Sequence, residues 1–187
     1  MRQAGIPMLS LDVWNTFDKI EANYLLLGQA LGASPQAEDI VREMRAKLDN
    51  TRQATLGRTQ PTVLVLSPVG PGTGPYWIGA SNISFDIVRQ AGAVNVAEAW
   101  GVTRSVKASM EQVLKADPDF LVLLQWKQGD NADLDEITSS PGWSSLRAVK
   151  DHKVKIMTVK QMLYPNRYNA DAVEELAQWF HPQLDFP

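Results

Sequence analysis

The sequence predicts an α/β fold in which a three-layer, Rossmann-like lobe with a mainly parallel sheet follows one long helix. Two observations lead to this prediction. After residue 60, short apolar runs that suit buried strands alternate with segments that suit helices, a pattern typical of parallel sheets covered by helices. Before residue 60, a charged segment over residues 34–58 has the apolar periodicity of a long amphipathic helix.

The first part of the chain predicts a strand and a helix. Residues 6–11 (IPMLSL) form an apolar run that suits a buried strand. Asn15 or Thr16 can cap a helix that reaches about Leu31, because both side chains can accept a hydrogen bond from the first helical turn. Gly32 then provides the left-handed residue at which helices commonly end.

A second helix starts directly after this glycine. Ser34 is its predicted N-cap and Pro35 lies in its first turn, where the missing N–H costs nothing. We expect it to end between Thr51 and Leu56. Its apolar stripe is spaced three or four residues apart: Ala37, Ile40, Val41, Met44 and Leu48. Its length and charge suit a helix that joins two lobes, and a surface helix on a single core fits the periodicity equally well.

The remaining elements alternate along the chain. Apolar or β-branched runs predict extended segments at residues 62–67, 94–96, 120–124 and 154–159. Helices are predicted at residues 82–90, 109–114, 134–138 and 170–180. Ser109 opens the second of these with the pattern of a capping box, and Asn169 can cap the last.

Composition excludes several classes of function. The 187 residues carry a net charge of −3, without the basic surface that nucleic acid requires, and include no cysteine for a thiolate, a zinc–cysteine site or a disulfide. No apolar run is long enough to span a membrane. The two histidines, His152 and His181, are far apart and predict no metal site. The glycine-rich residues 70–75 lack the lysine of a P-loop, which argues against a nucleotide-phosphate site. No other catalytic or cofactor-binding motif is present in the sequence.

Six short segments resemble, in the same order, parts of one family: the substrate-binding proteins of ABC importers for iron-siderophore, haem and cobalamin-type ligands. The most informative is residues 140–154 (SPGWSSLRAVKDHKV), which resembles a turn, tryptophan, turn and strand unit of that family. The others are residues 4–7, 27–28 with the long helix after them, 84–96, 109–119 and 181–182. Together they cover nearly the whole chain.

The resemblance implies a division of the chain. Members of that family hold their ligand between two α/β lobes joined by a helix. Residues 1–33 then correspond to the end of the first lobe, residues 34–58 to the inter-lobe helix and residues 59–187 to the second lobe. Most of the first lobe is missing, which favours a fragment of a longer protein over a truncated gene product. Residues 1–7 show neither a signal sequence nor a lipobox.

The implied function is the solute-binding component of an ABC importer, located in the periplasm or anchored by lipid outside the cell. It captures a metal chelate, a ferric siderophore first and haem or cobalamin as alternatives, and delivers it to the permease. Two other functions stay open. A single lobe could serve as an interaction module, and a small α/β enzyme domain would use the same cleft, although no nucleophile or metal cluster is visible.

Five residues are candidate ligand contacts because they follow predicted strands, where ligands gather in open α/β sheets. Trp77 could stack on a flat ligand, or pack against its own helix. Trp126 and Lys127 follow the strand at residues 120–124, and Lys127 could meet an anionic chelate or remain solvated. Tyr164 and Arg167 lie in a loop that faces the cleft in the family, where Arg167 could contact a carboxylate, catecholate or oxyanion.

Two alternatives concern residues near these loops. The loop of Tyr164 and Arg167 could instead be a structural helix cap built around Asn166 and Asn169. Asp86 is a candidate for docking the permease, since family members present a carboxylate at the tip of each lobe. Stabilisation of a helix N-terminus is the simpler explanation of Asp86.

Overall fold

A computed structural model describes residues 8–68, 75–126, 135 and 139–186. Its helices are α1 (Phe17–Leu31), α2 (Ser34–Thr55), α3 (Ile83–Gln90), α4 (Val96–Ala99), α5 (Met110–Ala116), α6 (Arg147–Lys150), α7 (Val159–Met162) and α8 (Asn169–Phe180), with a 3-10 turn at Trp143–Ser145. Its strands are β1 (Thr62–Pro68), β2 (Pro75–Trp77), β3 (Val94–Asn95), β4 (Val106–Lys107), β5 (Phe120–Gln125) and β6 (Val154–Thr158). None of the described helices has the length and apolar character needed to cross a membrane.

The sheet is mainly parallel, as the sequence predicts. Its strand order is β4-β2-β1-β5-β6, and β3 pairs with the beginning of β1. Strands β1, β3, β5 and β6 are parallel to one another, while β2 and β4 are antiparallel additions at one side. These two strands, of three and two residues, escape prediction because such short segments show no periodicity.

The alternation of side chains along β1 creates three layers. Val63 and Val65 face a core to which α1, α2, α3, α7 and α8 contribute. Leu64 and Leu66 face a second core, built with α4, α5, α6 and the turn at Trp143–Ser145. Both faces of the central strand are therefore covered, which explains why it is a continuous apolar run in the sequence.

The first two helices form largely as predicted. The Thr16 hydroxyl accepts a hydrogen bond from the Lys19 N–H, and Gly32 ends α1 in the left-handed conformation with φ of 68°. Helix α2 buries four residues of the predicted stripe against α1 and α8, namely Ala37, Val41, Met44 and Leu48, and Ile40 is partly buried. Its N-cap is Ala33 without a side-chain bond, so the prediction for Ser34 was wrong: the serine is the first helical residue.

Other predictions need correction. Residues 8–11 are not a strand, since they pair with no described strand, and Met8 and Leu9 are 61% and 47% exposed. Ser109 is the N-cap of α5, but its side chain makes no capping bond. Val159 begins α7 instead of ending β6, because Thr158 and Gln161 form a capping box that turns the chain. Residues 1–7 and most of 134–138 lie outside the described residues.

Candidate ligand-binding site at the carboxyl edge of the sheet

The carboxyl ends of β1, β5 and β6 lie along one edge of the sheet. Leu66 near the end of β1 pairs with Leu123 of β5, and Gln125 at the end of β5 pairs with Thr158 at the end of β6. Ligands of open α/β sheets bind outside this edge. Two stretches of it are described, at Trp126 and at residues 159–168. The glycine-rich residues 69–74 and Lys127 lie outside the described residues.

Asn166 fixes the shape of the loop over residues 163–168. Its side-chain amide donates hydrogen bonds to the carbonyl of Lys160 at 3.2 Å and to the carbonyl of Tyr164 at 2.5 Å. Its side-chain oxygen accepts a hydrogen bond from the N–H of Tyr168 at 2.8 Å. Asn166 thus supplies hydrogen-bond partners for backbone groups of the loop that have none in a helix or strand.

Asn169 ties the same loop to the protein. This residue is fully buried, and its amide donates to the carbonyls of Gln161 at 2.8 Å and Tyr164 at 3.3 Å. Its side-chain oxygen accepts a hydrogen bond from the N–H of Asn166 at 2.6 Å. Asn169 was predicted to cap the last helix. It is instead the first residue of α8, and its side chain braces the preceding loop.

Arg167 and Tyr168 form a stacked pair on this loop. The guanidinium carbon lies 4.8 Å from the centre of the tyrosine ring, and the arginine donates a hydrogen bond to the phenol oxygen at 3.0 Å. The guanidinium of Arg167 is charged, as it is for any arginine, and the hydrogen bond to Tyr168 raises its pKa further. Beside the pair, Glu43 and Lys47 of α2 line a cavity of about 110 Å³.

Three aromatic side chains are exposed at this edge. Trp126 is 58%, Tyr164 52% and Tyr168 53% exposed. Of these, Tyr168 contacts the guanidinium of Arg167, and an amphipathic ring beside a charged donor suits a ligand-binding surface. Tyr168 was not selected from the sequence. Its position next to Arg167, where its ring can form a cation–π contact with the guanidinium, is the signal that could have identified it.

Trp77 does not belong to this surface, so its assignment as a ligand contact is corrected. It pairs with Leu66 across β2 and β1, which directs its side chain to the same face as Leu66. The indole is 1% exposed and packs edge-to-face on Trp100, with ring centres 5.8 Å apart. A ring buried in this way cannot stack on a ligand.

The assignment of Asp86 as a permease-docking residue is also corrected, because its carboxylate is buried. The residue is 3% exposed. One carboxylate oxygen accepts a hydrogen bond from the N–H of Phe17, the first residue of α1, at 2.8 Å. The other accepts a hydrogen bond from Nε of Arg89 at 3.0 Å. Asp86 does stabilise helix N-termini: it lies in the first turn of its own helix, α3, and its carboxylate accepts a hydrogen bond from the first N–H of α1.

The described residues contain no group of three or more histidine, cysteine, aspartate or glutamate side chains that could hold a metal ion. Among the described residues of this edge, Arg167 supplies a guanidinium, Tyr164 and Tyr168 supply phenol hydroxyls, and Trp126 supplies an aromatic face. Such groups can bind an anion or a flat organic surface.

Residues 1–160 match the family model described as periplasmic binding protein. Among curated proteins, an uncharacterized ABC transporter substrate-binding lipoprotein, YvrC of Bacillus subtilis strain 168, is 23% identical over 184 residues. That alignment covers 97% of this chain and 56% of the relative. The chain thus spans about half the length of the curated relative that it matches.

Solved structures share the fold. An ABC-type Fe3+-hydroxamate transport system structure from Saccharomonospora viridis has a TM-score of 0.79 at 25% identity, covering 89% of this chain and 56% of the other. The periplasmic heme-binding protein RhuT from Roseiflexus sp. RS-1, in apo form, has a TM-score of 0.84 at 21% identity, covering 97% and 69%. The resemblance and the fold class predicted from the sequence are confirmed, and the chain belongs to the periplasmic binding protein family.

Proposed function

We propose that the chain is the second lobe and the inter-lobe helix of a solute-binding component of an ABC importer. In this proposal residues 1–33 complete the first lobe, residues 34–58 join the lobes and residues 59–187 form one wall of the ligand cleft. The family match and the lipoprotein relative support the assignment to import. They also support a location in the periplasm or on a lipid anchor outside the cell, and delivery of the ligand to a permease.

The observation that carries the proposal is the braced loop of Tyr164, Arg167 and Tyr168 at the carboxyl edge. Two asparagines hold the backbone of this loop, which lowers the entropic cost of ordering it when a ligand binds. Arg167 suits a carboxylate, catecholate or other oxyanion of a chelate. The exposed faces of Trp126 and Tyr164 suit its flat or apolar parts.

The proposed ligand is a metal chelate, a ferric siderophore in the first place and haem or cobalamin as alternatives. The names of the similar structures, which include Fe3+-hydroxamate transport and heme binding, support this class. Lys127, next to Trp126 in the chain, is proposed as a second cationic contact for an anionic chelate. Trp77 and Asp86 are not part of the proposed site.

The test is a titration of the chain with ferrioxamine B, haemin and cyanocobalamin, followed by tryptophan fluorescence. At least one chelate should quench the emission in a saturable way, because Trp126 is exposed at the proposed site. Arg167→Gln and Tyr164→Leu should each weaken that binding about tenfold, the effect of losing one charged hydrogen bond or one aromatic contact.

A matched control is Arg42→Gln, since Arg42 is an exposed arginine of α2 with a local partner, Asp39. This variant should bind as the unmodified chain does. Absence of saturable quenching by all three chelates would contradict the proposal. An equal loss of affinity in Arg42→Gln and Arg167→Gln would show that only general charge matters, and would also contradict it.

A further inference from the structure

Three arginines line one cavity at the opposite edge of the sheet from the candidate ligand-binding site. The cavity of about 370 Å³ lies between the end of α2, the turn that precedes β1 and the end of α3. Arg52, Arg58 and Arg89 are among the residues that line it. Strands β1 and β3 both begin at this edge, where Thr62 pairs with Val94.

The lining of this cavity includes three arginines, two of which pair with carboxylates outside it, Asp49 and Asp86. Its lining in the described part of the chain contains the three arginines but no aspartate or glutamate. Burial lowers the pKa of His181, and the positive charge of Arg58 lowers it further.

The guanidinium groups are held in place by contacts that leave donors unused. Nε of Arg58 donates to the carbonyl of Ala54 at 2.7 Å, and Arg89 is tied to the buried carboxylate of Asp86 through Nε and one terminal nitrogen. Arg52 donates one hydrogen bond to Asp49 at 2.7 Å. A guanidinium has five N–H donors, so each of the three retains N–H groups beyond these bonds.

Arginines in the last turn of a helix also offset the negative end of the helix dipole, and this explains part of the pattern for Arg52 and Arg89. It does not explain why both helices end at the same cavity together with Arg58. Converging, tethered guanidinium groups bind phosphate and related oxyanions by paired, charge-assisted hydrogen bonds.

We propose that the cavity of Arg52, Arg58 and Arg89 binds a phosphate-type oxyanion, either as a free anion or as the headgroup of an anionic phospholipid. The site is separate from the ligand edge and does not depend on the proposed import function. A lipid headgroup there would place the amino edge of the sheet against the membrane surface.

The experiment measures binding of inorganic phosphate by calorimetry at constant ionic strength. A second arm measures sedimentation with vesicles of phosphatidylcholine alone and of phosphatidylcholine mixed with phosphatidylglycerol. Arg58→Gln and Arg52→Gln should each weaken binding about tenfold, the effect expected from one charged hydrogen bond. Among the described residues Arg58 pairs with no carboxylate, so its replacement leaves no buried carboxylate unpaired.

Arg42→Gln is the matched control for Arg52→Gln, because both arginines lie on α2 and pair with an aspartate three residues earlier. Binding of phosphate that is lost in the two cavity variants and kept in the control supports a site for the free anion. The same pattern seen only with phosphatidylglycerol vesicles supports a headgroup site. No binding in either arm, or an equal loss in Arg42→Gln, overturns the proposal.

Discussion

The carboxylate of Asp86 on α3 accepts a hydrogen bond from the backbone N–H of Phe17, the first residue of α1, at 2.8 Å. The first N–H groups of a helix have no partner within the helix, and here the partner comes from 69 positions further along the chain. Arg89 balances the charge of the buried carboxylate. This contact anchors the start of α1 on the α/β core.

Replacing Asp86 should therefore destabilise the protein. Asp86→Ala leaves the buried N–H of Phe17 without an acceptor, and we expect a loss of about 1–3 kcal/mol in the free energy of unfolding. Asp39→Ala is the control, because it removes an exposed carboxylate that also pairs with an arginine three residues later and should change stability by less than about 0.5 kcal/mol. Urea unfolding followed by circular dichroism measures both, and equal losses would contradict the assigned role.

The two tryptophans selected from the sequence should behave in opposite ways. Trp77 fills a core position at 1% exposure, whereas Trp126 is 58% exposed. Trp77→Ala should lower the free energy of unfolding by about 3–5 kcal/mol, the usual cost of removing a buried aromatic side chain. Trp126→Ala should stay within about 0.5 kcal/mol of the unmodified chain.

Thermal and urea unfolding of the two tryptophan variants distinguish core from surface. If Trp77→Ala does not fold, Trp77→Phe serves instead, since it keeps most of the apolar volume and should still be measurably less stable. A Trp126 variant as unstable as the Trp77 variant would contradict the burial assigned to both residues.

Local periodicity was sufficient to predict much of the fold. The stripe from Ala37 to Leu48 follows helical spacing, and the continuous apolar runs of β1 and β5 are what a strand covered on both faces requires. By contrast, β2 exists because its three residues pair with β1 and β4. No short-range pattern records that pairing, and the burial of Trp77 follows from it.

The candidate site was predicted only in part, for a similar reason. The position of Arg167 and Tyr164 after a strand could be read from the sequence, as could a structural role for the neighbouring asparagines. The role of Asp86 could not, because its partner Phe17 is distant in the chain. A surface carboxylate and a buried helix anchor have the same local sequence pattern.

Asn169 should be required for the shape of the Tyr164–Arg167 loop. Asn169→Ala removes the hydrogen bonds to the Gln161 carbonyl and from the Asn166 N–H, and one of the two bonds to the Tyr164 carbonyl. We expect a loss of about 1–3 kcal/mol in the free energy of unfolding. Asn50→Ala, at an exposed position of α2, is the control and should be neutral or slightly stabilising because alanine favours helix.

A second measurement separates the loop from global stability. Limited proteolysis at a temperature where both asparagine variants are folded should cut near residues 163–168 faster in Asn169→Ala than in Asn50→Ala. Equal cleavage rates at this loop would contradict its bracing by Asn169.

Asp117 and Asp119, before β5, should make the stability of the protein depend on pH in the acid range. Burial alone would raise the pKa of Asp117 and Asp119, but hydrogen bonds from Arg147 to Asp117 and from Thr62 to Asp119 outweigh it, and both pKa values are lowered from about 3.8. Nε of Arg147 lies 2.6 Å from Asp117, and a terminal nitrogen of its guanidinium lies 3.2 Å from Asp119.

Because the folded protein favours the charged carboxylates, their contribution to stability is fully present above about pH 4 and is lost as the pH falls through the lowered pKa values. In Arg147→Gln both pKa values should move back towards 3.8, so the variant should be less stable near neutral pH and lose less stability on acidification. Urea midpoints measured from about pH 2 to pH 6 test this, with the exposed Arg104→Gln as control. Arg147→Gln should converge with the control at the acid end, and parallel curves over the whole range would show that Arg147 does not set the titration of these aspartates.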